Sequence, residues 1–230
     1  MSSHANIVGT LGAEILAGKH RPDENLPPEA EMLARFGVSR TALREAIKTL
    51  SGKGLLIAKT RVGTRVAPPT HWNYFDPDIL TWRVQAGADA TFRNDLADVR
   101  RGLEPMAAAL AARRRTEDDL VALRACVEMM RAETDSALGF AKADLKLHLA
   151  IGAASKNPMI RSMAAVIETA LLEAFLVSPP VQRPELHHEV VQAHALIVDC
   201  ITRGDEPGAA EAMRAVIDSG QVRLKAEARI

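Results

Sequence analysis

Apolar residues at Ile7, Val8, Leu11, Ile15 and Leu16 fall on one face of a helix, and Gly18 ends the run. This pattern predicts a first helix of about 12 residues. After the loop HRPDENLPP, residues Glu29 to Phe36 read as a short second helix stopped by Gly37. Ser39 is a natural N-cap for a third helix reaching about Lys53. Two helices joined by a tight turn containing glycine make a helix-turn-helix. The runs Leu55–Ala58 and Thr64–Ala67 then flank KTRVG, a hairpin with Gly63 near its turn, which supplies a wing.

Pro68-Pro69 interrupts regular structure, and HWNYFDPDILTW brings Trp72, Tyr74, Phe75 and Trp82 into one short stretch, read as a docked linker. From about Thr91 the period is helical throughout, with breaks near Thr116, Asp135, Asn157-Pro158, Ser178-Pro179-Pro180 and Gly204-Asp205. Six helices and no strand are expected there, arranged as an antiparallel bundle because that buries every amphipathic face. The fold class is therefore mostly α, with three parts. Residues 1–67 form a winged helix-turn-helix, 68–90 an aromatic and proline-containing linker, and 91–230 an all-helical unit for sensing and dimerisation.

Composition narrows the class. With 47% hydrophobic and 25% charged residues the chain is of the globular type, and no apolar run reaches the roughly 20 residues of a membrane helix. The N-terminus has no basic segment leading into an unbroken apolar stretch, so the expectation is a cytoplasmic protein. Cys126 and Cys200 stand far apart in helical segments without a CxxC partner and are read as free thiols. The formal net charge is zero, yet residues 1–67 carry 10 Lys and Arg against 6 Asp and Glu. Within 37–67 there are 7 basic residues and a single acid, Glu45. Charge alone fits a solvated surface as well as a phosphate-binding face.

The helix-turn-helix favours the second. Its second helix enters the major groove by its N-terminal end, which here presents Ser39, Arg40, Thr41 and Arg44. Arg40 and Arg44 share a helical face and can each pair with guanine through two hydrogen bonds, while Ser39 and Thr41 suit phosphates or bases. Lys48 extends the face toward the backbone. The wing tip, with Lys59, Thr60, Arg61 and Gly63, suits the minor groove or its phosphates.

The segment LPPEAEMLARFGVSRTALREAIKTLSGKGLLIAKTRVGTRV resembles the DNA-binding domain of the GntR family of bacterial regulators. It shares LPxE before the second helix, VSRTxxRE at the recognition helix, L...GL(L/I) before the wing and GTxV in its second strand. That resemblance implies that Arg40 and Arg44 read an operator, assisted by Ser39, Thr41 and the wing. Ala30 stands where some relatives place an arginine, so a backbone contact is missing there. Through VRRGLEPMAAALAARR, ADLKLHLAIGAASKNPMI and AHALIVDCITRGD, the remainder is similar to the all-helical ligand-binding domain of the FadR subfamily. The aromatic linker is particularly like that of members repressing operons for galactonate and related sugar acids.

Asp144 and His148 are four apart on one helix, a spacing that reaches one metal, although such a pair is more often a surface pair. The resemblance implies a divalent metal on Asp144, His148, His194 and a further histidine, at a position occupied here by Val216. Three ligands suit Zn²⁺ with an open position, at reduced affinity. His187 and His188 are candidate substitutes or simply a solvated pair. The resemblance also makes Arg100 the clamp for an acid's carboxylate. It places Asn157 near the pocket, where it either donates to a ligand hydroxyl or caps a helix. The expected protein is a homodimeric, ligand-responsive repressor on an inverted-repeat DNA operator, released by a galactonate-like sugar acid, with no membrane partner. Two alternatives are a metal-dependent hydrolase using the Asp/His/His cluster and an architectural DNA-binding protein without a sensor.

Overall fold

The computed structural model describes residues 3–59, 63–87, 89–177 and 180–227. Its contacts divide the chain into two compact units, Met1–Ala88 and Asp89–Ile230. Each is built from the elements its local sequence favours.

In the first unit, α1 (Ser3–Leu16) buries Ile7, Val8, Leu11, Ile15 and Leu16. The second helix, α2 (Glu29–Phe36), ends where Gly37 adopts the left-handed conformation, φ 62°, and its N–H bonds to Leu33 O. Only glycine adopts that conformation without a Cβ penalty. Helix α3 (Arg40–Gly52) starts at Ser39, whose side chain accepts from Ala42 N–H at 3.3 Å, and buries Leu43, Ala46 and Leu50. The strands β1 (Leu56–Lys59) and β2 (Gly63–Val66) pair antiparallel, Leu56 opposite Val66 and Lys59 opposite Gly63. Leu56 and Val66 turn inward. Leu26 N–H bonds to Thr64 O at 2.8 Å, and Val66 N–H to Glu24 O at 2.9 Å, so the loop before α2 covers the free edge of β2.

The segment expected as a linker folds onto this same unit. Asp76 caps α4 (Pro77–Gln85), which sends Ile79 and Trp82 into the core containing Ile7, Leu11 and Leu50. Gly12 on α1 makes room for the indole: a Cβ there would lie 2.3 Å from Trp82 Cζ3. Trp72 Nε1 donates to Ala67 O at 2.9 Å. Lys53, at the end of α3, reaches Asp76 at 2.8 Å and Asp78 at 2.7 Å. The sequence reading ends the winged helix at residue 67, whereas this compact unit continues to Ala88.

The second unit contains seven described helices against the six expected: α5 (Ala90–Arg114), α6 (Glu117–Ala132), α7 (Ala137–Ala154), α8 (Pro158–Arg161), α9 (Ala164–Val177), α10 (Pro184–Arg203) and α11 (Glu206–Glu227). The extra one is α8, a single turn. Long α5 is the hub, packing on α7, α9, α10 and α11. The core includes Leu123, Met130, Phe140, Leu147, Ile197 and Ile201. The breaks are capped: Thr116 and Asp119 form a reciprocal capping box, Ser136 caps α7, and Gly204 closes α10 at φ 74°. Both cysteines are buried and free. Among the described residues no helix is long and apolar enough to cross a membrane.

Candidate functional site

The burial of Leu43, Ala46 and Leu50 turns the opposite face of α3 outward. Ser39, Arg40, Thr41, Arg44 and Lys48 are all exposed there. Ser39 also holds the helix start, so its hydroxyl serves the cap before any contact with DNA. Arg40 Nε and Arg44 Nη2 lie 3.6 and 3.7 Å from the two carboxylate oxygens of Glu29 on α2. These are exposed, loose pairs of small energetic weight, which leave the guanidinium groups available to bases and phosphates. Lys53 and Arg65, two of the seven basic residues in this stretch, are instead paired with Asp76 and Asp78 and with Asp23. At the wing, Gly63 is exposed at φ 100°. Thr60 and Arg61 lie outside the described residues, as does the side chain of Lys59.

In the second unit α7 supplies Asp144 and His148, one turn apart, and α10 supplies His194. Far from being a surface pair, Asp144, His148 and His194 are 1%, 2% and 3% exposed. One ligand atom from each lies within 4.8 Å of the others. His194 Nδ1 faces Val190 O at 2.7 Å, and His148 Nδ1 faces Glu104 Oε2. Carbonyl and carboxylate oxygens only accept, so both histidines in their neutral form carry hydrogen on Nδ1 and a lone pair on Nε2. Both Nε2 atoms and Asp144 Oδ2 are buried without a hydrogen-bond partner. His194 Nε2 stands 2.9 Å from Asp144 Oδ1. Three lone-pair donors turned on one another in a buried site are unfavourable unless a cation, a metal ion or a proton, lies among them. Two imidazoles and a carboxylate form a donor set that fits Zn²⁺ or a similar first-row divalent ion, with positions left for oxygen ligands.

Glu104 on α5, which the sequence reading passed over, is 3% exposed and joins two predicted residues. Its Oε1 accepts from Arg100 Nε and its Oε2 from His148 Nδ1, with Arg100 Nη2 at 3.4 Å from Oε2. Burial pushes the Glu104 carboxyl up, but the charges and hydrogen bonds of Arg100 and His148 outweigh it and hold it down at about 2. Burial likewise opposes ionisation of Asp144, and the His194 and His148 charges overcome it, so its pKa is also lowered. The only signal in the sequence was the i,i+4 spacing of Arg100 and Glu104, which ordinarily denotes a surface ion pair.

Arg100, Asp144, His148, His194 and Val216 line one pocket, whose walls include Leu96 and Ala97 of α5 and Gln221 of α11. The expected clamp Arg100 thus reaches the pocket with Nε and Nη2 already directed to Glu104. Val216 is 9% exposed and places an apolar surface where the resemblance calls for a fourth histidine. His187 does not substitute: its Nε2 lies 3.1 Å from Met130 O and its ring packs edge-on against Phe140. His188 is exposed. Asn157 is absent from the residues lining this pocket; its Oδ1 accepts from Met159 N–H at 3.0 Å, the capping role of the two weighed.

A winged helix-turn-helix followed by a helical unit whose pocket holds a cluster of buried charged and histidine side chains defines a DNA-binding transcription regulator. Residues 4–66 match the model of bacterial regulatory proteins of the gntR family, and residues 95–219 match the FCD domain. The chain is 32% identical over 222 residues to the galactonate operon transcriptional repressor of Escherichia coli (strain K12), covering 95% of both chains. It is 33% identical over 213 residues to the HTH-type transcriptional regulator YieP of the same organism, covering 91% of this chain and 90% of the other. The solved structure of Lar, which controls expression of the Listeria monocytogenes agr system, has the same fold, with a TM-score of 0.64 at 19% identity and 98% of each chain covered. The chain belongs to the GntR family of regulators and carries an FCD domain. Its family and relatives are regulators and not enzymes, which overturns the hydrolase alternative.

Proposed function

We propose that this regulator is a homodimeric repressor of a sugar-acid catabolic operon, acting in the cytoplasm and released from an inverted-repeat operator by a galactonate-like aldonate. Two copies of one recognition helix related by a twofold axis require a twofold operator. Arg40, Arg44, Ser39 and Thr41 read it, with Lys48 on the backbone and the wing residues Lys59, Thr60, Arg61 and Gly63 in the minor groove or on its phosphates. A divalent ion, Zn²⁺ in this reading, is held by Asp144, His148 and His194. Arg100 supplies positive charge for the acid's carboxylate. The metal's contribution is Lewis acidity toward the acid's oxygens; the protein's is to bind, orient and exclude water.

The observation that carries the sensor reading is the convergence of three buried, partnerless donor atoms beside Arg100 in one pocket. The sugar-acid class is supported by the operon named for the relative that matches 95% of this chain. Binding of acid and operator must be coupled reciprocally: an acid that weakens operator binding is itself bound less tightly by the DNA complex. The test is a melting and operator-binding screen with aldonates, uronates and keto-deoxy acids in the presence of zinc. An acid at 100 times its Kd should stabilise the protein by about 2.7 kcal/mol and reduce operator occupancy. Failure of every acid in both assays refutes the effector class.

A further inference from the structure

Glu104, unlike Arg100 and His148, which it joins, is not among the residues lining the pocket. It sits behind both, with one oxygen on Arg100 Nε and the other on His148 Nδ1. We infer that Glu104 is the positioning residue of the site: its buried carboxylate sets the His148 ring with Nε2 toward Asp144 and His194 and at the same time holds Arg100 at the pocket wall. The part that concerns metal and acid rests on the proposed function; the part that concerns the ring does not.

The geometry supports each half separately. His148 lies on α7 and is 2% exposed, so bulk water has little access to its ring and its fixed neighbours choose which nitrogen carries the hydrogen. Asp144 Oδ2 lies 3.8 Å from Nε2, beyond hydrogen-bond reach, and Nε2 has no hydrogen-bond partner. The acceptor on the other side is Glu104, so the proton belongs on Nδ1 and the lone pair on Nε2. His194 receives the same instruction from the backbone carbonyl of Val190, which substitution of a side chain does not remove. The tautomer of His148 therefore depends on a side chain 44 residues away in the chain. A carboxylate behind an imidazole also raises its basicity, and losing such a partner lowers metal affinity by about 10- to 100-fold.

The second half follows from the fork of Arg100. With Nε and Nη2 directed to Glu104, the guanidinium is fixed in its plane, and its remaining nitrogen, Nη1, lies on the side away from that carboxylate. Removing Glu104 leaves Arg100 a buried charge without its partner, free to turn toward Asp144. An acid binding in the pocket then meets an arginine no longer held in place at the wall. Metal and acid affinity thus share one residue that contacts neither.

The test uses full-length protein stripped of metal, with histidine ¹⁵N-labelled. Long-range ¹H–¹⁵N spectra, recorded at a pH where the ring is neutral, distinguish the two tautomers. The expected result is Nδ1–H for His148 in the wild type, a population with Nε2–H in Glu104→Gln, and zinc binding 10- to 100-fold weaker in that variant by calorimetry. Nε2–H in the wild type overturns the inference. So does a Glu104→Gln variant that keeps Nδ1–H and an unchanged zinc isotherm while losing only stability, which is the outcome for a merely structural ion pair. A wild type that takes up no zinc while its His148 behaves as expected refutes the metal reading and leaves the positioning role standing. Should Glu104→Gln not fold, the wild-type spectrum and that of Arg100→Met decide, since Arg100→Met removes the other partner of Glu104 and should leave the His148 tautomer unchanged.

Discussion

The packing of α4 on α1 can be tested by adding one methyl group. Alanine at position 12 would put its Cβ 2.3, 2.4 and 2.6 Å from three ring carbons of Trp82, where ordinary contact begins at 3.4 Å. The indole, 7% exposed, has to retreat by roughly 1 Å within a packed core, and overpacking of this kind costs about 1–3 kcal/mol. Against this, replacing a helix-interior glycine by alanine gains about 1 kcal/mol of helix propensity. Gly12→Ala should therefore destabilise the first unit by up to about 2 kcal/mol when Trp82 is present. In a Trp82→Ala background, itself costing about 3–5 kcal/mol, the obstacle is gone and Gly12→Ala should stabilise by up to about 1 kcal/mol. The sign reverses, and the coupling between the two sites is about 1–3 kcal/mol. Both tryptophans of the chain lie in this unit, so urea unfolding followed by tryptophan fluorescence reports on it selectively, with Trp72 as the remaining probe in the Trp82→Ala proteins. Additive effects, with Gly12→Ala stabilising in both backgrounds, would mean that α4 does not dock on α1 through this contact.

Arg40→Ala and Arg44→Ala should each cost about 1–3 kcal/mol on the specific operator with little effect on random DNA, measured by titration at fixed salt; unchanged affinity in both refutes the recognition-helix assignment. Val216→His, which adds a fourth protein ligand, should raise zinc affinity over wild type while Asp144→Ala lowers it, and identical calorimetric isotherms for all three would reduce the cluster to a polar pocket lining. Because the Glu104 carboxyl falls from its ordinary 4.5 to about 2 in the folded chain, the unfolded chain binds more protons in that interval and stability falls as the solution is acidified. The contribution is fully present above pH 4.5 and lost as pH drops through 2, on the order of 3 kcal/mol in all. Metal-free wild type and Glu104→Gln should accordingly differ less in urea midpoint at pH 3 than at pH 7, and a constant difference refutes the shift.

What the sequence alone determined about this protein lies within short stretches of chain. The recognition unit is a contiguous run in which each instruction is local: Gly37 at a left-handed turn, Ser39 at a cap, Leu43, Ala46 and Leu50 at helical spacing. The exposure of Arg40 and Arg44 follows from that spacing, because burying one face of a helix presents the other. The same holds for the helix breaks at Thr116 and Gly204, where the capping residue precedes or follows the element it ends. Tertiary structure decided the rest. Asn157 was compatible with a cap and with a ligand contact; the cap to Met159 N–H is local, and only the tertiary packing left Asn157 out of the lining of the pocket that holds Arg100. Asp144 and His148 were compatible with a surface pair until α5 and α9 packed against α7 and His194 of α10 met Asp144. Glu104 looked like half of an exposed i,i+4 pair, and its meeting with His148 depends on how α5 packs against α7. Trp82 and Gly12 are matched in the same way, by a helix contact that joins residues far apart in the chain. Hydrophobic period and capping act over a few residues and can be read along the chain; burial and long-range hydrogen bonding are set by which helices meet, and they determined which polar residues form a site.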